Sequence, residues 1–516
     1  MSKTLAKFTP AKGLAADLPA VAVARDFWTS LQNIACRPFA ERAAGYAAVY
    51  ATPQVEVRSL LNVSIGGTNY WLYNGKQRSY AVQGVTHTDV TIGGTTFTND
   101  TRFNSWSVGV FNGLAFHNHD LDPPSYWDGN PANNFVALPG WPGGVLCGTL
   151  RAFGNFLIAM NMTSYPDQVR WSAAAAAGAM PSTWTAAATN EAGSRELSDT
   201  PGGLIDGAPL GNGFVIYKAR SAYLLEYRGD NLVFNSRLLP IGRGLLARNC
   251  IAEYRGQHFI VTADGDFGLT DGTQFESVAD NRTRRFVFSQ LDQANFGTVF
   301  VGALKRQSEI WVCFPSSGNT LCDLAAVWNT KDNTWSVRDV PLVSCAAPGV
   351  VSDTATTDTW DSDAGTWDGD ASIWNEQSQL AAEEQLVLGK PNDAAPTSSL
   401  LLKMDSGLTA NGAAFDARAS KYGMDLGDAT RVKMVRAVYP HVIADAGTQM
   451  LVRVGGQMEA NGPTTWSTET TYTVGSGARV PLFALGRFIS VEFRSTASAA
   501  WRLPAFDLEY EWRGYH

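Results

Sequence analysis

One pattern limits what this chain can fold into more than any other: a strand, a turn rich in Gly or Asn, a second strand and then another hairpin, returning along most of its length. The first turns of successive units read YNGKQ (73–77), FNGLAF (111–116), FGNFLI (153–158), GNGFVI (211–216), YRGQHFI (254–260) and KRQSEIW (305–311). They recur at intervals of about 38 to 57 residues, close to the length of a four-stranded propeller blade with variable loops. Second hairpins follow at YWDG (126–129), VRWSA (169–173), LLEYRG (224–229), FGLTDG (267–272) and AVWNTKDNTW (326–335). A lone four-stranded sheet has two faces to bury, so such units are expected to stack radially. The sequence therefore predicts an all-β chain built on a β-propeller of about six blades. Neither the GH…WD signature nor the kelch double glycine is present.

Helical periodicity is scarce after the first fifty residues, and 49 Gly, 23 Pro, 16 Trp, 25 Phe and 16 Tyr suit short strands joined by tight turns. At 516 residues the chain exceeds the size of one simple core, which requires several domains or a repeat. The formal charge of −8 argues against a protein that grips a phosphate backbone. The opening residues lack an apolar signal region and no later stretch is apolar enough to span a bilayer, so the chain reads as soluble and not secreted through a signal peptide. Six cysteines (36, 147, 250, 313, 322 and 345) are too dispersed for metal knuckles and read as buried thiols.

The expected organisation is a segment 1–55 joining a platform, a propeller over 56–415, and a C-terminal β domain over 416–516 that resembles a sandwich. Insertions are expected at about 172–204, rich in Ala, Thr, Ser and Gly, and at 351–399. The second holds Trp360, Trp367 and Trp374, spaced by seven, among Asp and Gly that disfavour a helix; it reads as an extended surface segment. Longer strands follow at 431–443, 448–458, 487–495 and 501–515, although the first of them could instead close the last blade.

The most chemical-looking stretch is HNHDLDPPSYWDG (117–129). His117 and His119 alternate on a strand and share a face, with Asp120 and Asp122 just beyond; a metal could use such ligands. Histidines 87, 258, 441 and 516 add no matching cluster, so the stretch reads as a blade-edge turn. Asp361, Asp363, Asp368 and Asp370 suggest a calcium loop, but Ser372 or Gln379 stands where an EF-hand needs Glu. The basic run RTRRF (282–286) is an interface candidate. No phosphate-binding loop, nucleophile elbow or zinc-protease motif is present, and most Asp sit in turns. The expectation is a chain that is not an enzyme, with no catalytic, cofactor-binding or metal residue assigned and no cofactor.

Several segments carry a family resemblance: GLAADLPAVAVARDFWTSLQNIACRPFAERAAGYAAVY near the start, the HNHDLDPPSYWDG blade, VWNTKDNTWSVRDV, and the Trp-Asp repeats at 360–374. The strongest is C-terminal, in SKYGMDLGDATRVKMVRAVYPHV, LVRVGGQM, GRFISVEFRS and WRLPAFDLEYEWRGY. Together they resemble the propeller-containing tail nozzle, tail tubular or packaged-DNA stabilisation proteins of short-tailed bacteriophages (podoviruses).

The resemblance implies a virion structural protein, made in the host bacterial cytoplasm and carried in the tail. Six copies would surround the channel, bind the adaptor ring of the head-tail connector and the tail fibres, and let double-stranded DNA pass without sequence-specific binding and without membrane insertion. An acidic lumen would repel the duplex and confine it without adhesion. Two alternatives stand beside this: a carbohydrate-binding or glycan-degrading propeller of a tail spike, using residues such as Asp120 or Asp128, and a cellular propeller scaffold.

Overall fold

The computed structural model describes residues 3–93, 95–229, 233–351 and 384–515. The regular structure of the described chain is almost wholly antiparallel strand. Seven four-stranded sheets follow one another: blade 1 over 59–89, blade 2 over 106–137, blade 3 over 147–196, blade 4 over 206–238, blade 5 over 251–277 and blade 6 over 300–343. Blade 7 takes three strands from 345–404 and its outermost strand, Tyr46–Val49, from near the N-terminus. The first strand of each blade packs beside that of the next, and Cys345–Gly349 of blade 7 meets Ser59–Ile65 of blade 1, so the ring closes.

The apolar runs follow from this geometry, because alternate residues of a strand point to opposite faces and a blade interior is buried on both. In blade 3, Leu157 and Ala159 join the core shared with blade 2, while Ile158 and Met160 join the core shared with blade 4. Blade 6 sends Trp311 and Cys313 towards blade 7 and Ile310 and Val312 into the core on its other side. Every joint between blades thus has an apolar filling, that around blade 5 being continuous with the platform core, and truncating a central residue such as Leu388 to Ala costs about 2–5 kcal/mol.

The seven blades correct the expected six, and the reason is physical. The connection between the first two strands of blade 7 runs from 350 to 384 in place of a tight Gly or Asn turn, and its fourth strand lies some 300 residues earlier. Gln385–Lys390 and Leu400–Met404 make blade 7, so the first of them falls inside the stretch read as the 351–399 insertion. Residues 352–383, including Trp360, Trp367, Trp374 and the Asp-rich candidate calcium loop, lie outside the described residues. YNGKQ (73–77) is the second turn of blade 1; its first is Gly66-Gly67, both at positive φ. The 172–204 stretch includes Gly193–Glu196, the outer strand of blade 3, and its preceding loop is pinned by Trp184, buried edge-on against Trp141 at 4.7 Å.

The platform consists of two six-stranded sheets, and both ends of the chain contribute. In one, Arg502–Tyr515 lies between Arg431–Ile443 on one side and Thr4–Phe8 with Ala40–Arg42 on the other. In the second, Ser30–Gln32 extends Ala417–Met424, Phe488–Ser495 and Gln449–Gln457. Trp28, fully buried, packs against Phe493 and Phe506 between the sheets.

Platform and propeller meet at the outer strand of blade 6, Thr334–Val343. Gly13 accepts from Trp28 while Leu14 donates to the Trp335 carbonyl; Gly13 has φ +73° and a Cβ there would strike the Trp335 backbone. Arg37, from the platform, bonds Glu309 at 2.6 Å; Arg338 bonds Asp405 at 2.6 Å and lies 3.7 Å from Glu309. The run RTRRF is spent partly on this joint: Arg282 reaches the carbonyls of Lys12 and Asn333, and Asp17 accepts from Phe286 N–H at the start of the short helix Arg284–Gln290.

Candidate functional site: the charged mouth of the propeller

The connections between blades and the loops between second and third strands emerge on one face of the ring, where they surround the entry to the central channel. The channel encloses about 300 Å³ and is lined by all seven first strands, with Trp106, Val108, Ala152, Ala208, Pro209, Ile251, Val301 and Ala346 on its walls. It cannot admit a duplex whose major groove alone is about 12 Å wide.

Polar groups close the mouth. Asn249 donates to Asn104 at 2.5 Å, joining the entry of blade 5 to that of blade 2, and Asn104 donates in turn to the carbonyls of Arg248 and Gly297. Arg151 makes a two-pronged contact with the buried Asp206 at 2.7–2.8 Å and also donates to Asn249. Burial alone would raise the Asp206 carboxyl, but Arg151 and two backbone N–H groups hold it below the usual carboxylate range. Arg58 grips Asp393 of blade 7 with both carboxylate oxygens and lies over the Phe103 ring at 3.7 Å.

Beside this plug sits the HNHDLD stretch. His117 and His119 are the fourth and sixth residues of Leu114–His119, and both rings contact Trp106 on one face. His117 donates to Asn74 and stacks on Phe135 at 3.8 Å; burial first, then His119, pulls it down to about 3, so it is neutral. His119 donates from Nδ1 to Asp122, which also accepts from Thr98. Asp120 turns the other way, to Arg102 at 2.8 Å and Arg248 at 3.6 Å, and Arg102 also holds Asp100 at 2.8 Å. One atom each of Asp100, His119 and Asp120 lies within 4.8 Å of the others, the donor set among the described residues that a cation could use.

Asp100, Arg102 and Arg248 were beyond sequence reasoning, since nothing in their neighbourhood marks them and the fold brings them in from other loops. The other described histidines have structural partners: His87 bonds Tyr73, His258 bonds Tyr217 and Pro209, and His441 bonds Asp507, while His516 lies outside the described residues. Asp128 is tied to Asn130 and Asn133 in its own turn. All six cysteines are free thiols, and burial raises Cys345 to about 12 and the other five further.

No protein-family model and no curated protein matches the chain. Among solved structures it is similar to the crystal structure of the WD40 β-propeller domain of Doa1, with 11% identity and a TM-score of 0.38 over 70% of this chain and 96% of that one. The propeller assignment stands on the strand ladders and the closed ring.

Proposed function

We propose that the chain is a structural virion protein that forms the hexameric tail nozzle of a short-tailed phage, closes the DNA channel below the adaptor, and releases DNA on infection. The observation that carries this reading is the platform. The C-terminal segments on which the family resemblance rests are neighbouring strands of it, and strands of the N-terminal segment pair along their outer edges. Among the described residues its edge strand Val480–Gly486 has a strand partner on one side only, and it turns Phe483 and Leu485 outward, 57% and 48% exposed, as an assembly surface would.

The plugged channel adds a constraint. With no room for a duplex inside one propeller, DNA in such an assembly passes between copies, with propellers outside and the platform towards the adaptor. The acidic balance of the chain is compatible with a conduit that does not hold its cargo.

Gold-labelled antibody on intact particles of the source phage tests this. Label at the distal end of the tail axis is the expected result. Label confined to peripheral appendages would favour the glycan-binding spike, and particles without label would favour the cellular scaffold.

A further inference from the structure

Imidazole and carboxylate groups converge beside the mouth in a way that the nozzle reading does not use. We propose that Asp100, His119 and Asp120 form a binding site for a divalent transition-metal cation of the zinc class, with Arg102 as its built-in competitor.

The first observation is His119. The side chain is wholly buried, its Nδ1–H is committed to Asp122 at 2.8 Å, and its Nε2 has no hydrogen-bond partner. Nε2 lies 3.5 Å from Asp100 Oδ2, beyond good hydrogen-bond length. With the proton on Nδ1, the Nε2 lone pair faces a carboxylate, which a bound cation would turn from repulsion into ligation. A carboxylate that orients the far nitrogen of a ligating histidine is the usual support for such a site, and Asp122 takes that place.

The second observation is what holds the two carboxylates now. Arg102 Nη2 stands 2.8 Å from both Asp100 Oδ2 and Asp120 Oδ1, so a positive group already bridges them. Its side chain is 55% exposed and can swing outward. Asp100 Oδ1 is held by Arg102 N–H, which leaves Oδ2 turned to the site. Asp100 and Asp120 face the guanidinium groups of Arg102 and Arg248, and Asp122 adds a third carboxylate behind His119; exchanging Arg102 for a divalent ion brings these groups to neutrality.

One imidazole and two carboxylates suit zinc or manganese better than calcium, and three protein ligands leave room for water. The ion would tie the blade 1–2 connection, through Asp100, to the loop between the second and third strands of blade 2, through Asp120. That cross-link stiffens the mouth without touching the Asn104–Asn249 plug.

The test uses the full chain, stripped with chelator, and measures Zn²⁺ binding by calorimetry together with thermal unfolding. The wild type is expected to bind one Zn²⁺ that Asp120→Asn weakens at least tenfold, while Arg102→Ala binds at least threefold tighter than wild type. Zn²⁺ should raise the unfolding transition of wild type and Arg102→Ala, and not that of Asp120→Asn. Circular dichroism checks that each variant is folded; if Asp120→Asn is not, the Arg102→Ala comparison decides. Zn²⁺ binding unchanged by either substitution would place the ion elsewhere, and an Arg102→Ala protein that binds no more tightly than wild type would overturn the proposal.

Discussion

Asn104 and Asn249, 145 residues apart, meet at the mouth of the propeller, where Asn249 Nδ2 donates to Asn104 Oδ1 at 2.5 Å. They enter the first strands of blades 2 and 5, which lie on opposite sides of a seven-membered ring. Their contact closes the channel and braces the ring across its width.

Replacing Asn104 by Ala removes this brace and the two bonds to the carbonyls of Arg248 and Gly297. A loss of about 0.5–1.5 kcal/mol is expected, since the lost hydrogen bonds are only partly shielded and water can reach the released carbonyls. Urea unfolding of the purified chain checks it, and Asn249→Ala should give a loss that does not add to the first.

Arg338 holds Asp405 at 2.6 Å inside the joint where blades 6 and 7 meet the platform, and its side chain is 2% exposed. Arg338→Met leaves Asp405 and Glu309 short of a counter-charge in a buried setting, with an expected cost of about 3–5 kcal/mol. Burial would raise the Asp405 carboxyl, but Arg338 and Arg37 outweigh it and the net displacement is downward from 3.8. The stabilisation is therefore present above pH 3.8 and is lost as pH falls through the lower folded value. In the variant, acid unfolding should begin at higher pH, as followed by tryptophan fluorescence.

His258 gives a pH dependence of the same sign in a higher pH range. Its Nε2–H donates to the Pro209 carbonyl and its Nδ1 accepts from the Tyr217 hydroxyl, so the buried ring is fully satisfied only when neutral. Burial lowers it from 6.5 despite the Pro209 contact. Below pH 6.5 the unfolded chain takes up a proton that the folded chain refuses, so stability falls with pH from there down to the folded value. His258→Gln keeps one donor and one acceptor; it should flatten the difference in unfolding midpoint between pH 7.5 and pH 5.

Trp184 anchors the loop before the outer strand of blade 3 by packing edge-on against Trp141. Trp184→Ala should release that loop while leaving the inner strands of the blade paired. Limited proteolysis is expected to cut between 173 and 192 in the variant much faster than in wild type, with the far-ultraviolet circular dichroism unchanged.

The repeat was legible because five of its inner turns, such as Asn112-Gly113 and Arg255-Gly256, sit at positive φ, where Gly and Asn are favoured. Blade 7 was not, because Tyr46–Val49 pairs with Leu400–Met404 over a separation that no local pattern records. The same holds for Ser30–Gln32 in the platform, which is a strand only because Ala417–Met424 offers it an edge. At the mouth, His119 and Asp120 could be read as neighbours on a strand end. Their partners Asp100, Arg102 and Arg248 could not, since ion pairs between loops leave no periodicity in the chain.

The central claim is that this chain lines the tail axis as a ring of copies. A cryo-electron microscopy map of the particle tests it most directly. The account predicts six copies around an opening at the distal tail, their propellers outside, each propeller channel closed at Asn104 and Asn249, and duplex density only between copies. A map that places the chain away from the axis, or duplex density within a single propeller, would contradict it.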